Sequence, residues 1–190
     1  MKIRCFIIST LLLYQLSVQA QSADTTGHAS KRTETIYLAA AGPLLAVGSF
    51  SNTHLPGFTM EGGGLTLFRK RTSSPRTHPL LLNWSIAGDY FIGKKETVAG
   101  YSYTYPAYWL VHAYIGGAIS IRNNIMISLS AGPGIGHYNG NTVYNTGVHA
   151  AVYYSFSKRF MLSPSFKLMQ EPGTDWLGAV GLKVVMKAGR

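Results

Sequence analysis

From Thr35 onward, apolar and polar positions alternate with a period of two, and no long segment carries a 3.6-residue period. Runs rich in Ile, Val, Leu, Tyr, Phe and Gly occupy 34–48, 57–70, 78–92, 105–121, 125–138, 143–157, 160–170 and 175–187. Turn-forming breaks separate several of them: Arg122-Asn123-Asn124, Asn139-Gly140-Asn141, Ser157-Lys158-Arg159 and Glu171-Pro172-Gly173-Thr174. Such breaks are hairpin connections, so the pattern predicts eight strands, each antiparallel to its chain neighbours.

Which residues alternate decides the environment. In the third run Leu80, Leu82, Trp84, Ile86, Tyr90 and Ile92 share one face, against Asn83, Ser85, Ala87 and Asp89. The fourth sets Trp109, Val111, Ala113, Ile115, Ile119 and Ile121 against Tyr108, His112, Tyr114, Gly116 and Ser120. In the fifth, Ile125, Ile127, Leu129 and Ile135 oppose Ser128, Ser130, Gly132, Gly134 and Gly136. The sixth opposes Val148, Val152, Tyr154 and Phe156 to Asn145, His149, Tyr153 and Ser155. The last two place Phe160, Leu162, Phe166, Leu168, Val180, Leu182, Val184 and Met186 opposite Ser163, Ser165, Lys167, Lys183 and Lys187.

One face is therefore bulky and apolar, the other small and polar with scattered charge. The lumen of a small barrel has room only for side chains that interdigitate, so the small face fits the inside and the bulky face fits lipid. Most runs also exceed the roughly 9–11 tilted residues that a bilayer needs, and closure satisfies the backbone without water. The expected fold is all-β: an eight-stranded antiparallel up-and-down transmembrane β-barrel. A soluble, lipocalin-like barrel with the faces reversed is the alternative, but its outer face would carry too few charges. Two runs fit less cleanly: 34–48 is apolar on both faces and 57–70 has an ambiguous phase. Pro43, Pro133 and Pro164 fall inside predicted strands, where a missing N–H suggests bulges or strand ends.

Residues 1–20 read as a signal peptide: Lys2 and Arg4, an apolar stretch from Cys5 to Val18, and Val18-Gln19-Ala20 before Gln21. A retained signal anchor is the alternative. Residues 21–33 read as a flexible polar lead, and 34–190 as the barrel. Cys5, the one cysteine, opens the apolar core instead of following it, which argues against lipidation, and cleavage near Ala20 leaves a chain without disulfides or a thiolate metal site. Cleavage also removes two of the 17 basic residues and none of the 7 acids, leaving a net charge of +8. An exported cation of this kind meets outer-membrane lipids, anionic phospholipid or cell-wall polymer; nucleic acid is not an expected partner.

With the N-terminus in the periplasm, 11 of the 15 remaining basic residues fall at the periplasmic end, among them Arg69, Lys70, Arg71, Arg76, Arg122, Lys158, Arg159 and Lys187. The outer loops then lie at about 49–56, 93–104, 139–142 and 171–174, with 93–104 the longest candidate for partner contact.

Leu129-Ser130-Ala131-Gly132-Pro133-Gly134-Ile135-Gly136 and Gly147-Val148-His149-Ala150-Ala151-Val152-Tyr153-Tyr154 give the region 35–187 a texture. That texture resembles the small outer-membrane β-barrels of Gram-negative bacteria, the OmpA/OmpX-like, porin-family group. Gly181, Val184 and Met186 resemble a barrel-assembly signal, although the terminal aromatic of such signals is replaced by Lys187-Ala188-Gly189-Arg190.

Candidate chemistry is sparse. The glycines of 132–136 precede another strand, not the helix that a phosphate loop needs. His112 and His149 share a lumen from strands separated by one other, without a third ligand at convincing spacing. A lipid deacylase would need His, Ser and an acid in one patch. His137 faces lipid with Asn139 two residues on, and Ser128 and Ser130 lie on the opposite face. No cofactor is expected. A polar lumen cluster of Glu61, Asp89, His112, His149, Lys167 and Lys183 is the main candidate site. A charge that cannot reach water must pair, so Lys167 is expected to bond Asp89 or Glu61 at the outer end, with Lys183 nearer the periplasm. These features suggest a plugged barrel with a structural or surface-interaction role. A narrow solute channel and an outer-membrane lipid-modifying enzyme are the alternatives.

Overall fold

The computed structural model describes residues 33–68, 80–173 and 176–188. The expected signal peptide, the lead from 21 to 32 and Arg69, Lys70, Arg71 and Arg76 lie outside the described residues. The elements run β1 (Thr33–Val47), α1 (Phe50–Thr53), β2 (His54–Phe68), β3 (Leu80–Gly93), β4 (Lys95–Val98), β5 (Tyr101–Thr104), β6 (Tyr108–Arg122), β7 (Ile125–Tyr138), β8 (Asn141–Ser155), β9 (Phe160–Gln170) and β10 (Leu177–Ala188). The eight long strands close into an antiparallel barrel of order β1-β10-β9-β8-β7-β6-β3-β2, while β4 and β5 form a separate hairpin. Each long strand thus pairs with its chain neighbours, and the first closes on the last, with Tyr37 opposite Ala188. The fifth and seventh runs coincide with β7 and β9, and the other boundaries shift by one to three residues.

Turn chemistry sets the tight connections. Asn139 and Gly140, both at positive φ (49° and 77°), join β7 to β8 with Tyr138 opposite Asn141. That two-residue loop has the twist that antiparallel strands require.

The bulky faces all point outward. Phe58, Tyr90, Trp109 and His137 are successive register partners on β2, β3, β6 and β7, forming an aromatic row near the end that carries the β4–β5 hairpin. Tyr37 and Trp84 meet edge to face at 6.2 Å nearer the other end, where Tyr154, Phe156 and Phe160 are also exposed. Ile86, Ile115, Leu129 and Leu182 are exposed between these rows. An apolar belt flanked by aromatic girdles is the surface that a bilayer selects. The ambiguous strands resolve the same way: Leu38 and Leu44 of β1 and Thr59 and Leu65 of β2 are buried, whereas Tyr37, Leu45, Phe58 and Met60 are exposed.

The three prolines mark neither bulges nor strand ends. Each lies in a continuous strand and interrupts one ladder without changing its register: β1–β10 skips Gly42 and Pro43, β7–β6 skips Gly132 and Pro133, and β9–β8 skips Ser163 and Pro164. A missing N–H removes bonds on one side only, and the other neighbour keeps the strand in place.

Candidate functional site

Six inward-facing groups build the centre of the barrel. Glu61 on β2 lies in one register row with Ala87, His112, Gly134 and Asn145. Asp89 on β3 is opposite Thr59, and His149 on β8 is opposite Lys167 on β9. His112, His149, Lys167 and Lys183 are completely buried, and Asp89 nearly so.

Two ion pairs neutralise the four charges. The Lys167 ammonium reaches across the lumen, from β9 to the diametrically opposite β3, and donates to both Asp89 carboxylate oxygens at 2.6 and 2.8 Å. It also donates to Thr59 Oγ1 at 3.2 Å. Three bonds use all three ammonium protons, so this charge is fully satisfied. Lys183 donates to Glu61 Oε2 at 2.5 Å and lies 3.1 Å from His149 Nε2. An ammonium has no lone pair, so Nε2 must accept. The imidazole is then neutral with its proton on Nδ1, which points at Glu61 Oε1, 4.0 Å away.

The expected pairing is corrected in one respect. Lys167 takes Asp89, as one of the two options allowed, but Glu61 is not at the outer end with them. It is bound by Lys183, because only β1 separates β2 from β10 and the intervening inward positions, Ala40 and Gly42, are small. Strand tilt offsets neighbouring strands along the axis, which brings the two groups to one level.

Glycines on β7 and β8 make room for the rings of β6. A Cβ at Gly134 would strike His112 and lie 2.5 Å from Asn145 Oδ1, and one at Gly136 would strike Tyr108. A Cβ at Gly147 would approach the Tyr114 hydroxyl to 2.9 Å. Tyr114 stacks on His112 at 5.1 Å and meets His149 at 5.3 Å. A void of about 10 Å³ lies beside Glu61, Asn83, Tyr153 and Lys183, about the space of one water. Among the described residues no group of three His, Cys, Asp or Glu side chains is placed to hold a metal ion.

Apolar layers flank this polar centre on both sides. Leu38, Leu65, Ala118, Ala151, Tyr153, Met161 and Val185 pack toward the end where β1 begins. Leu44, Phe91, Tyr108, Leu110, Met169 and Ala179 pack toward the hairpin end. Phe50 of α1 completes the second layer, its ring 4.7 Å from Phe91 and 5.9 Å from Tyr108. The alternation pattern missed these stoppers by reading the inner face as small and polar. Their signal was present: paired apolar residues such as Phe91-Ile92, Met161-Leu162, Leu168-Met169 and Val184-Val185 put one member inside.

At the hairpin end α1 is bound to the β3–β6 connection. Lys94 N donates to Thr53 O at 2.8 Å, Tyr105 N to Lys94 O at 2.9 Å, and Lys94 Nζ to Ser51 O at 3.3 Å. The β4–β5 hairpin turns through Ala99 and Gly100, both at positive φ, and every residue of its strands is exposed. Its register puts Glu96, Val98, Tyr101 and Tyr103 on one face. Tyr101 is 83% exposed, Tyr103 packs on Tyr105 at 5.0 Å, and the Tyr105 hydroxyl donates to Glu96 at 3.0 Å. The bond and charge of Glu96 raise the Tyr105 phenol above the usual tyrosine pKa. His137, on the outer face, bonds Thr142 at 3.1 Å and stacks on Trp109 at 5.3 Å.

No family model and no curated protein matches the chain. Ail, the attachment invasion locus protein of Yersinia pestis, has the same fold among solved structures. In a phospholipid bilayer nanodisc it matches with a TM-score of 0.53 at 11% identity, over 82% of this chain and 100% of that one. Its crystal structure with the heparin analogue sucrose octasulfate gives 0.52 at 10% identity, over 83% and 99%. Neisserial surface protein A matches at 0.45 and 11% identity, over 83% and 100%. The fold is that of the small, eight-stranded outer-membrane barrels.

Proposed function

We propose that this chain is exported by cleavage near Ala20, inserts into an outer membrane, and works as a non-catalytic surface barrel through its hairpin end. The observation that carries this reading is the filled lumen. Among the described residues, two ion pairs sit between two buried apolar layers and fill the lumen with side chains. A barrel that does not conduct acts through its outside, and the outside offers a tyrosine-bearing hairpin held up on α1 and the β3–β6 connection. Outer-membrane lipids cover the apolar belt.

Planar bilayer recording and surface labelling test this reading together. Purified protein should give no steady conductance, and large stable channels would overturn the sealed lumen. On intact cells, Ser102→Cys in the hairpin should react with an impermeant thiol reagent while Asn123→Cys in the β6–β7 turn should not. The reverse result would invert the orientation.

A further inference from the structure

The end opposite the hairpin carries a second surface feature. Ser157 shapes the β8–β9 turn: its Oγ accepts from Arg159 N at 3.3 Å and from Phe160 N at 2.9 Å, which places Lys158 and Arg159 at the tip. Arg159 O in turn accepts from Lys187 N on β10 at 2.8 Å, and Lys187 Nζ reaches Ser155 Oγ at 3.1 Å. Ser155 N donates to Asn124 O at 2.8 Å, which ties in the β6–β7 turn beside Arg122. A continuous chain of hydrogen bonds thus links the elements that carry Arg122, Lys158, Arg159 and Lys187. The first three of these side chains are exposed.

No carboxylate of the described residues lies in this sector. Of the described acids only Glu34 lies at that end, on β1 beyond its last pairing with β10 and opposite Leu67 of β2. Directly along the same strands, Tyr154, Phe156 and Phe160 are exposed on the outer face. Three exposed cations, Arg122, Lys158 and Arg159, therefore sit at the rim above aromatic and apolar side chains that point into lipid, while Lys187, on the inner face of β10, ties the turn down through Ser155. That order, charge above aromatic ring above aliphatic belt, is complementary to a phosphate-bearing headgroup on acyl chains, which on the periplasmic side proposed above is a glycerophospholipid. Lys and Arg on short turns are held at the headgroup level, and a guanidinium such as that of Arg122 or Arg159 has the donor geometry to bind two phosphate oxygens at once.

From this geometry we infer that the β6–β10 rim binds anionic glycerophospholipid headgroups of the leaflet on that side. The inference rests on the membrane reading given above. Native mass spectrometry of the refolded protein, released from neutral detergent and titrated with phosphatidylglycerol or phosphatidylcholine, tests it directly. Folding into pure phosphatidylcholine vesicles, read by the gel shift between unboiled and boiled samples, tests the membrane reading separately. The expected result is a preference for phosphatidylglycerol that falls about fivefold per cation removed. Lys158→Gln with Arg159→Gln should thus weaken it roughly 20- to 30-fold, in proportion to the two charges lost. Lys94→Gln with Lys95→Gln at the hairpin end should leave the preference intact. Equal retention of both lipids, or equal loss in both double variants, would overturn the site while leaving the barrel in its membrane. Co-sedimentation with purified cell-wall sacculi that only Lys158→Gln with Arg159→Gln abolishes, without any lipid preference, would overturn it in favour of a polymer.

Discussion

Replacing Lys167 by alanine removes the one cation among the described residues that is bonded to Asp89. Both side chains are fully buried, and the ammonium spans the lumen from one wall to the other. The carboxylate left behind faces Leu110 in register and no longer has a charge partner. Deleting one member of a dry, hydrogen-bonded pair costs about 3–5 kcal/mol, most of it the penalty for stranding the other charge. An exposed pair would lose only about 0–1 kcal/mol, so the magnitude itself reports whether the lumen is dry. Removing both charges separates the two contributions. Asp89→Asn with Lys167→Met keeps the volume and leaves no ion, and such neutral replacements are often as stable as the parent. Urea titration in detergent micelles, followed by tryptophan fluorescence and by the gel shift, measures all three proteins. We expect a large loss for Lys167→Ala and recovery to within about 1–2 kcal/mol of the parent for the double variant. A Lys167→Ala protein as stable as its parent would refute the dry pair. A double variant as weak as the single one would show that packing of the lysine stem, not charge, was lost.

Gly134→Ala should cost about 1–3 kcal/mol in the same titration, because the new methyl strikes the His112 ring. Adding His112→Ala should relieve that loss, and a Gly134→Ala protein of parental stability would mean that the ring lies elsewhere. At the hairpin, Glu96→Gln should lower the Tyr105 titration midpoint, read by ultraviolet difference absorbance, toward the ordinary value of about 10. The phenol is raised in the folded protein, so its bond to Glu96 is fully formed below the unfolded value and is lost as pH rises through the folded one. A midpoint unchanged by Glu96→Gln would refute the bond.

The strand count, the pairing order and the outward faces were legible because each follows from a period of two, which fixes both faces of a strand at once. Asp89 and Lys167 were legible as lumen groups for the same reason. The partner of Glu61 was not, because alternation gives a side chain's face but not its height. Height depends on strand tilt and stagger, and these emerge only when Tyr37 meets Ala188 and the barrel closes. The apolar stoppers were hidden by their resemblance to lipid-facing residues: Phe91 beside Ile92 reads as a thicker belt until burial separates them. Phe50 was out of reach altogether, since a four-residue helical turn in a loop has no periodicity to read.

Both lumen ion pairs join early strands to late ones. Glu61 waits for a lysine 122 residues downstream, and Asp89 for one 78 residues downstream. Neither carboxylate can meet its lysine until β9 and β10 have docked. A one-residue slip of either late strand would turn its lysine out toward lipid, where a cation costs roughly 2–4 kcal/mol at the midplane. The same slip would abandon a carboxylate inside. The charges therefore act as a proofreading device for closure: a misaligned seam is penalised twice, and only the correct register of the final strands removes both penalties together.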